Sequence, residues 1–182
     1  MKPLQPIAIG MVIIALRGDA GGYDVFADPI GWLFVLLGLH HAPLADRRRG
    51  TLRTLAVFAA AIATALWFPR VADGIHDTDP ALTWAVNLPQ VAFTVVLCLA
   101  LAEQAAEADP PAARWLRTTM TLLVVVGVLP VLVFGAGMAS LEVPTYVGAG
   151  AVLVLLISLL LTYAGRPWAR VDSDGAGSPA AG

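Results

Sequence analysis

What most constrains this chain is the length of its apolar runs. Six stretches, Pro3–Leu16, Pro29–Ala45, Leu52–Phe68, Ala81–Ala102, Thr118–Ala136 and Pro144–Ala164, are nearly free of charge and do not alternate. A helix rises ~1.5 Å per residue, and the hydrocarbon layer of a bilayer is ~30 Å thick. The last three runs reach that thickness as single helices. The first two are shorter, with fifteen or so residues covering only ~22 Å. That hairpin must borrow its flanking polar turns, thin the bilayer around it, or re-enter; the charge pattern below favours crossing. In lipid each backbone N–H and C=O must be satisfied within the segment, which selects helices. The reading is therefore an all-α, polytopic transmembrane bundle of about six helices in three hairpins. Apolar residues make up 58% of the 182 and charged residues 13%, with mean hydropathy +0.78. This composition excludes a disordered chain, a nucleic-acid-binding module and an ordinary water-soluble enzyme.

Orientation follows from the arginines. With the N-terminus inside and six crossings, Lys2, Arg47, Arg48, Arg49, Arg53, Arg114, Arg117, Arg166 and Arg170 fall inside, and only Arg17 and Arg70 outside. Cytoplasmic loops hold the excess of Lys and Arg, while Asp and Glu hardly enter the rule. Both termini are thus expected inside, in a plasma or inner membrane. Residues 1–168 form the membrane domain, and 169–182, ending in the small polar run from Asp172, form a disordered cytoplasmic tail. Lys2, the run Ile7–Leu16 and Gly18-Asp19-Ala20 imitate a signal peptide. Arg17 and Asp19 crowd the supposed cleavage site, so the segment is read as an uncleaved first helix.

Local signals mark the segment ends. Pro29, Pro80 and Pro144 open even-numbered segments, and Asp28 and Asp79 stand at N-cap positions before two of them. Pro89 and Pro130 lie inside segments four and five and should kink them. Arg17 to Asp28-Pro29 and Trp32, and Arg70 to Asp79-Pro80 and Trp84, run in parallel. A duplicated hairpin would produce this, and so would the common needs of any outer loop, the simpler account. Gly127, Gly135, Gly137, Gly148 and Gly150 in the last two segments permit close helix contact and point to a packed bundle.

Chemistry-bearing constellations are sparse. No HExxH, GxSxG or P-loop pattern occurs, and the CDP-alcohol transferase signature is represented only by a DxxxD fragment. A single cysteine, Cys98, within an apolar run leaves no internal disulfide or CxxC pair and reads as a small hydrophobe. No catalytic residue, cofactor or metal site is assigned. Two candidate binding sites are. At the outer rim, Arg17, Asp24 and Asp28 could form a cation, metal or headgroup site, against the plainer reading of a capped interfacial turn. Within the membrane, Asn87 and Gln90 flank Pro89 and could fill the gap it opens, bond a neighbouring helix or coordinate a solute. The adjacent His40 and His41 point ~100° apart on a helix and read as a polar terminus. The arginine cluster from Arg47 to Arg53 sets topology and can meet anionic headgroups. Trp115 and Trp168 read as anchors at the inner face.

The run Tyr23-Asp24-Val25-Phe26-Ala27-Asp28-Pro29-Ile30-Gly31-Trp32, a D-x-x-x-D-P-x-G-W loop after an apolar segment, resembles small multi-pass bacterial membrane proteins. The Arg- and Ala-rich, nearly Lys-free composition suits a high-GC bacterium. This resemblance spans the first hairpin, implies a helical membrane protein and brings no activity with it. Three functions are therefore carried forward. The first is a non-catalytic accessory or self-associating bundle, whose partners are the lipid bilayer and a second copy or another membrane protein, with no nucleic acid. The alternative is a small-solute or lipid transporter or channel using Asn87 and Gln90. The third is a lipid-modifying enzyme acting through Asp24, Asp28 and Arg17.

Overall fold

The computed structural model describes residues 2–16, 19–20, 23–24, 28–68, 71, 80–136 and 138–170. Among these, six α-helices dominate: α1 Leu4–Ala15, α2 Asp28–His41, α3 Asp46–Leu66, α4 Pro80–Ala105, α5 Pro110–Pro130 and α6 Glu142–Tyr163. Between α1 and α2, Asp19–Ala20 pairs antiparallel with Tyr23–Asp24, a two-residue ladder at the tip of the hairpin. Four helical stretches are long and apolar enough to cross a membrane: Asp46–Leu66, Trp84–Ala105, Pro110–Val133 and Val143–Tyr163. The third segment thus joins the last three as a full-length span. By contrast, α1 has 12 residues and α2 has 14, rising only ~18 and ~21 Å.

Two helices, α3 and α5, start well before their apolar runs. α3 begins at Asp46, so the arginine cluster forms its first two turns. α5 begins at Pro110, eight residues ahead of Thr118, because Asp109 caps it: its carboxylate accepts the Ala112 N–H at 3.2 Å. Two prolines then occupy positions where a missing N–H costs nothing. Hydropathy marks what lipid can cover, whereas a helix runs on until its orphan N–H groups find a cap. α4 continues through Pro89, and α5 passes at Pro130 into a π-helical turn over Val131–Gly135. Asp28 lies in the first turn of α2. Arg70, Asp79 and residues 171–182 lie outside the described residues.

Consecutive helices pack side by side, and α6 closes the ring against α1. Trp32 of α2 meets Phe93 of α4 edge-on, with ring centroids 5.2 Å apart, and both are buried. Leu4, Leu39, Leu52, Leu101, Leu116 and Leu160 fill the core beside them, each at most 2% exposed. These leucines gather toward one end of the bundle.

That end is also the basic end. Gly38, late in α2, lies against the Pro3 carbonyl. Arg48 of α3 holds Glu103 of α4 with both nitrogens of its fork, Nε at 3.0 Å and Nη2 at 2.6 Å. Arg49 donates to Asp46 and to the Ala42 and Leu44 carbonyls, tying down the α2–α3 turn. After α6, Arg166 lies 3.7 Å from Asp109, and the Trp168 indole donates to the same carboxylate at 3.4 Å. The starts of α1, α3 and α5 and the ends of α2, α4 and α6 therefore share one end. It carries all nine bases that the sequence sorts to one side.

The tightest glycine packing is in the first hairpin, not in the last two segments. A β-carbon on Gly31 would fall 2.7 Å from the Gly10 carbonyl oxygen and 2.6 Å from Ile14 Cγ1. One on Gly38, two turns along the same face, would fall 2.8 Å from the Pro3 carbonyl. The backbones of α1 and α2 touch where side chains would ordinarily stand. Of the glycines singled out in the last two segments, only Gly127 is comparably close to a neighbour, with Val91 at 2.9 Å. Gly148 and Gly135 have ordinary contacts, Gly150 has open space, and Gly137 lies outside the described residues.

Candidate functional site

The half of the bundle away from the arginines holds a cleft. It lies among α4, α5 and α6 and has a volume of ≈ 250 Å³. Pro130 stands in its wall. Pro130 has no N–H for the Val126 carbonyl, so the α-helical ladder of α5 breaks. The Val131 N–H turns back to the Val128 carbonyl instead. The Gly127 carbonyl, left near the break, accepts the Trp84 indole N–H of α4 at 3.0 Å. One tryptophan thus closes a carbonyl whose α-helical partner, the Val131 N–H, has turned to Val128 and Leu129, and braces α4 against α5 at the cleft edge.

Asn87 and Gln90, either side of Pro89, both line this cleft, with Pro130, Val126 and Gly127 across from them. The structure therefore brings the two predicted intramembrane residues into one cavity. They stand one to two turns along from Trp84, on the Pro80 side of the middle of α4. Thr94 and Thr145 also line it, at 2% and 7% exposure, while Asn87 and Tyr146 are exposed at its mouth. Val91, Leu123, Val133, Ala149 and Leu153 supply apolar wall. Apart from the Tyr146 phenol, no ionisable side chain lines the cleft among the described residues. Sequence reading missed Thr94, Thr145 and Tyr146, because a hydroxyl in a long apolar helix is commonplace. Only its facing across to another helix gives it meaning. Trp84 was visible as an interfacial ring, but not as a donor to a broken helix.

Both threonine hydroxyls are already engaged as donors. Thr94 donates to the Val91 carbonyl at 2.8 Å and Thr145 to the Leu141 carbonyl at 2.6 Å. Their remaining capacity is as acceptors.

The outer-rim set is different. Arg17 lies outside the described residues, as does the side chain of Asp24, whose backbone pairs with Asp19. Asp28 is half-buried at the start of α2. Convergence of these three groups is thus outside the described residues. Among the described residues no three His, Cys, Asp or Glu side chains group closely enough to hold a metal ion. His40 and His41 are exposed with their rings edge-on, and His41 Nδ1 lies 3.0 Å from the Leu37 carbonyl. Cys98 is fully buried in α4. Trp168 packs on Tyr163 at the basic end, while Trp115 stands out from α5.

Compared with protein-family models, curated proteins and solved structures, the chain finds no match.

Proposed function

We propose that this is a multi-pass membrane protein, with both termini at the cytoplasmic face of the cell membrane, that receives a small lipid-soluble molecule in the α4–α5–α6 cleft. The chain acts as a solute-binding or transporting protein, without catalysis. One observation carries the reading: a largely aliphatic cavity with a few neutral polar groups from α4 and α6, inside helices of membrane-spanning length. Ligand sites combine an apolar lining with a few placed polar groups in this way. A bundle with only a structural role has no use for such a space, since every side chain around a void loses contact partners. For that reason solute binding is placed ahead of the self-associating bundle. A charged solute would lose its hydration with no opposite charge to meet it, a cost of several kcal/mol, so the molecule is uncharged.

The orientation rests on the basic end. It does not depend on whether α1 and α2 cross fully: a hairpin that re-enters and one that spans both return the chain to the side it left. On this orientation the cleft belongs to the outer half of the membrane, and the leucine-filled half seals it from the cytoplasm.

A small uncharged photoprobe, trifluoromethyl-diazirinyl benzene, tests the proposal on the full chain in nanodiscs. Labelling is expected on α4, α5 and α6 around the cleft, and Ala149→Phe, which puts a ring into the cavity, is expected to reduce that labelling strongly while leaving lipid-facing adducts elsewhere. Cleft labelling that survives Ala149→Phe unchanged overturns the site.

A further inference from the structure

Resting on the cleft reading above, we infer that the molecule the cleft takes is recognised as a hydrogen-bond donor: an uncharged, hydroxyl-bearing apolar compound rather than a ketone, ether or plain hydrocarbon. The inference comes from counting which polar atoms in the cleft still have capacity, and of which kind.

Three of its donors are spent inside the protein. The Trp84 indole N–H is on the Gly127 carbonyl, the Thr94 hydroxyl on the Val91 carbonyl and the Thr145 hydroxyl on the Leu141 carbonyl. A hydroxyl has one hydrogen and two lone pairs, so each buried threonine retains acceptor capacity and nothing to give. Gln90, and at the mouth Asn87 and Tyr146, carry both donors and acceptors and do not discriminate. The buried floor of the cleft, with Thr94 and Thr145 from two facing helices, is therefore acceptor-rich.

A bound alcohol can place its O–H on those lone pairs. An ether or ketone of the same shape brings further lone pairs to them, and both sides lose hydration without compensation. Size points the same way. The cavity equals roughly eight waters at ~30 Å³ each, enough for a short aliphatic or cyclic alcohol but not for a whole phospholipid.

The test compares three diazirine-bearing probes of equal chain length, an octanol, its methyl ether and an octylamine, on the full chain in nanodiscs. Adducts are mapped to the cleft segments of α4, α5 and α6. The alcohol is expected to label these segments about fivefold more than the ether, the ratio set by one net hydrogen bond. Unlabelled 1-octanol should compete. Thr94→Val with Thr145→Val, which keeps the shape and removes the lone pairs, should bring the alcohol down to the level of the ether. The alcohol-to-ether ratio is read on the unaltered chain, so it stands even if the double variant does not fold. Equal labelling by alcohol and ether, both strongly reduced in Ala149→Phe, overturns donor recognition and leaves the solute cleft in place. Stronger labelling by the amine overturns it in favour of a cation held by the same oxygens. If no probe labels the cleft above its level in Ala149→Phe, the underlying reading fails, and this inference with it.

Discussion

Replacing Gly31 by alanine puts one methyl group where the backbones of α1 and α2 touch. The new β-carbon would sit 2.7 Å from the Gly10 carbonyl oxygen, where ordinary contact begins at 3.4 Å. Ile14 can turn its side chain aside, but a carbonyl oxygen belongs to the helix, so α1 and α2 must part by about 0.7 Å. A gap of that size forfeits a quarter to a half of the attraction between facing atoms. The loss extends along the whole face, including Ile7, Val35 and Gly38. Overpacking of this kind costs ~1–3 kcal/mol, and the better helix propensity of alanine returns ~1. The expected net effect is a destabilisation of up to about 2 kcal/mol, read as a lower midpoint in detergent-mediated unfolding. Gly50→Ala is the control: its β-carbon would have nothing within 4 Å, so it should be stabilising by up to ~1 kcal/mol. Adding Gly10→Ala to Gly31→Ala should cost less than the sum, because both methyls are accommodated by the same separation. If Gly31→Ala is as harmless as Gly50→Ala, the hairpin is not packed backbone to backbone and the reasoning is wrong.

Two further outcomes are expected at the ends of the bundle. Asp109→Ala removes the α5 cap together with the acceptor of Trp168, and should lose about 1 kcal/mol or somewhat more. It should also speed hydrogen exchange over residues 166–170, whereas Asp109→Asn keeps an oxygen for Ala112 and should lose much less; equal behaviour of the two variants would refute the cap. For orientation, single cysteines are placed at Gly50 and Gly74 in a Cys98→Ala background. The first should react with an impermeant maleimide only after the membrane is opened, and the second in intact cells. The opposite pattern would invert the proposed topology.

Much of the architecture is legible in the chain because lipid leaves it few options. Uncharged runs of bilayer length have to be helices, and the arginines divide between loops in a pattern that the folded molecule gathers at one end. Asn87 and Gln90 are legible as a site because amides beside a proline are rare in such helices. The helix starts at Asp46 and Pro110 are less visible, since they depend on caps and polar first turns rather than hydropathy. The glycines mislead for a related reason. Gly31 and Gly38 matter because α1 happens to lie on their face, and Gly150 does not because no helix lies on its own. Nothing in either local sequence distinguishes them.

By itself, then, the amino-acid order determined the class of the molecule, the number of its helices and the segregation of its charge, since each is set by how single segments partition between water and hydrocarbon. Tertiary structure alone decided which backbones touch, that α6 returns to α1, and that Thr94 and Thr145 share a cavity with Asn87 and Gln90. Those features depend on the relative rotation of separate helices, which the apolar surface of each leaves open until its neighbours are in place.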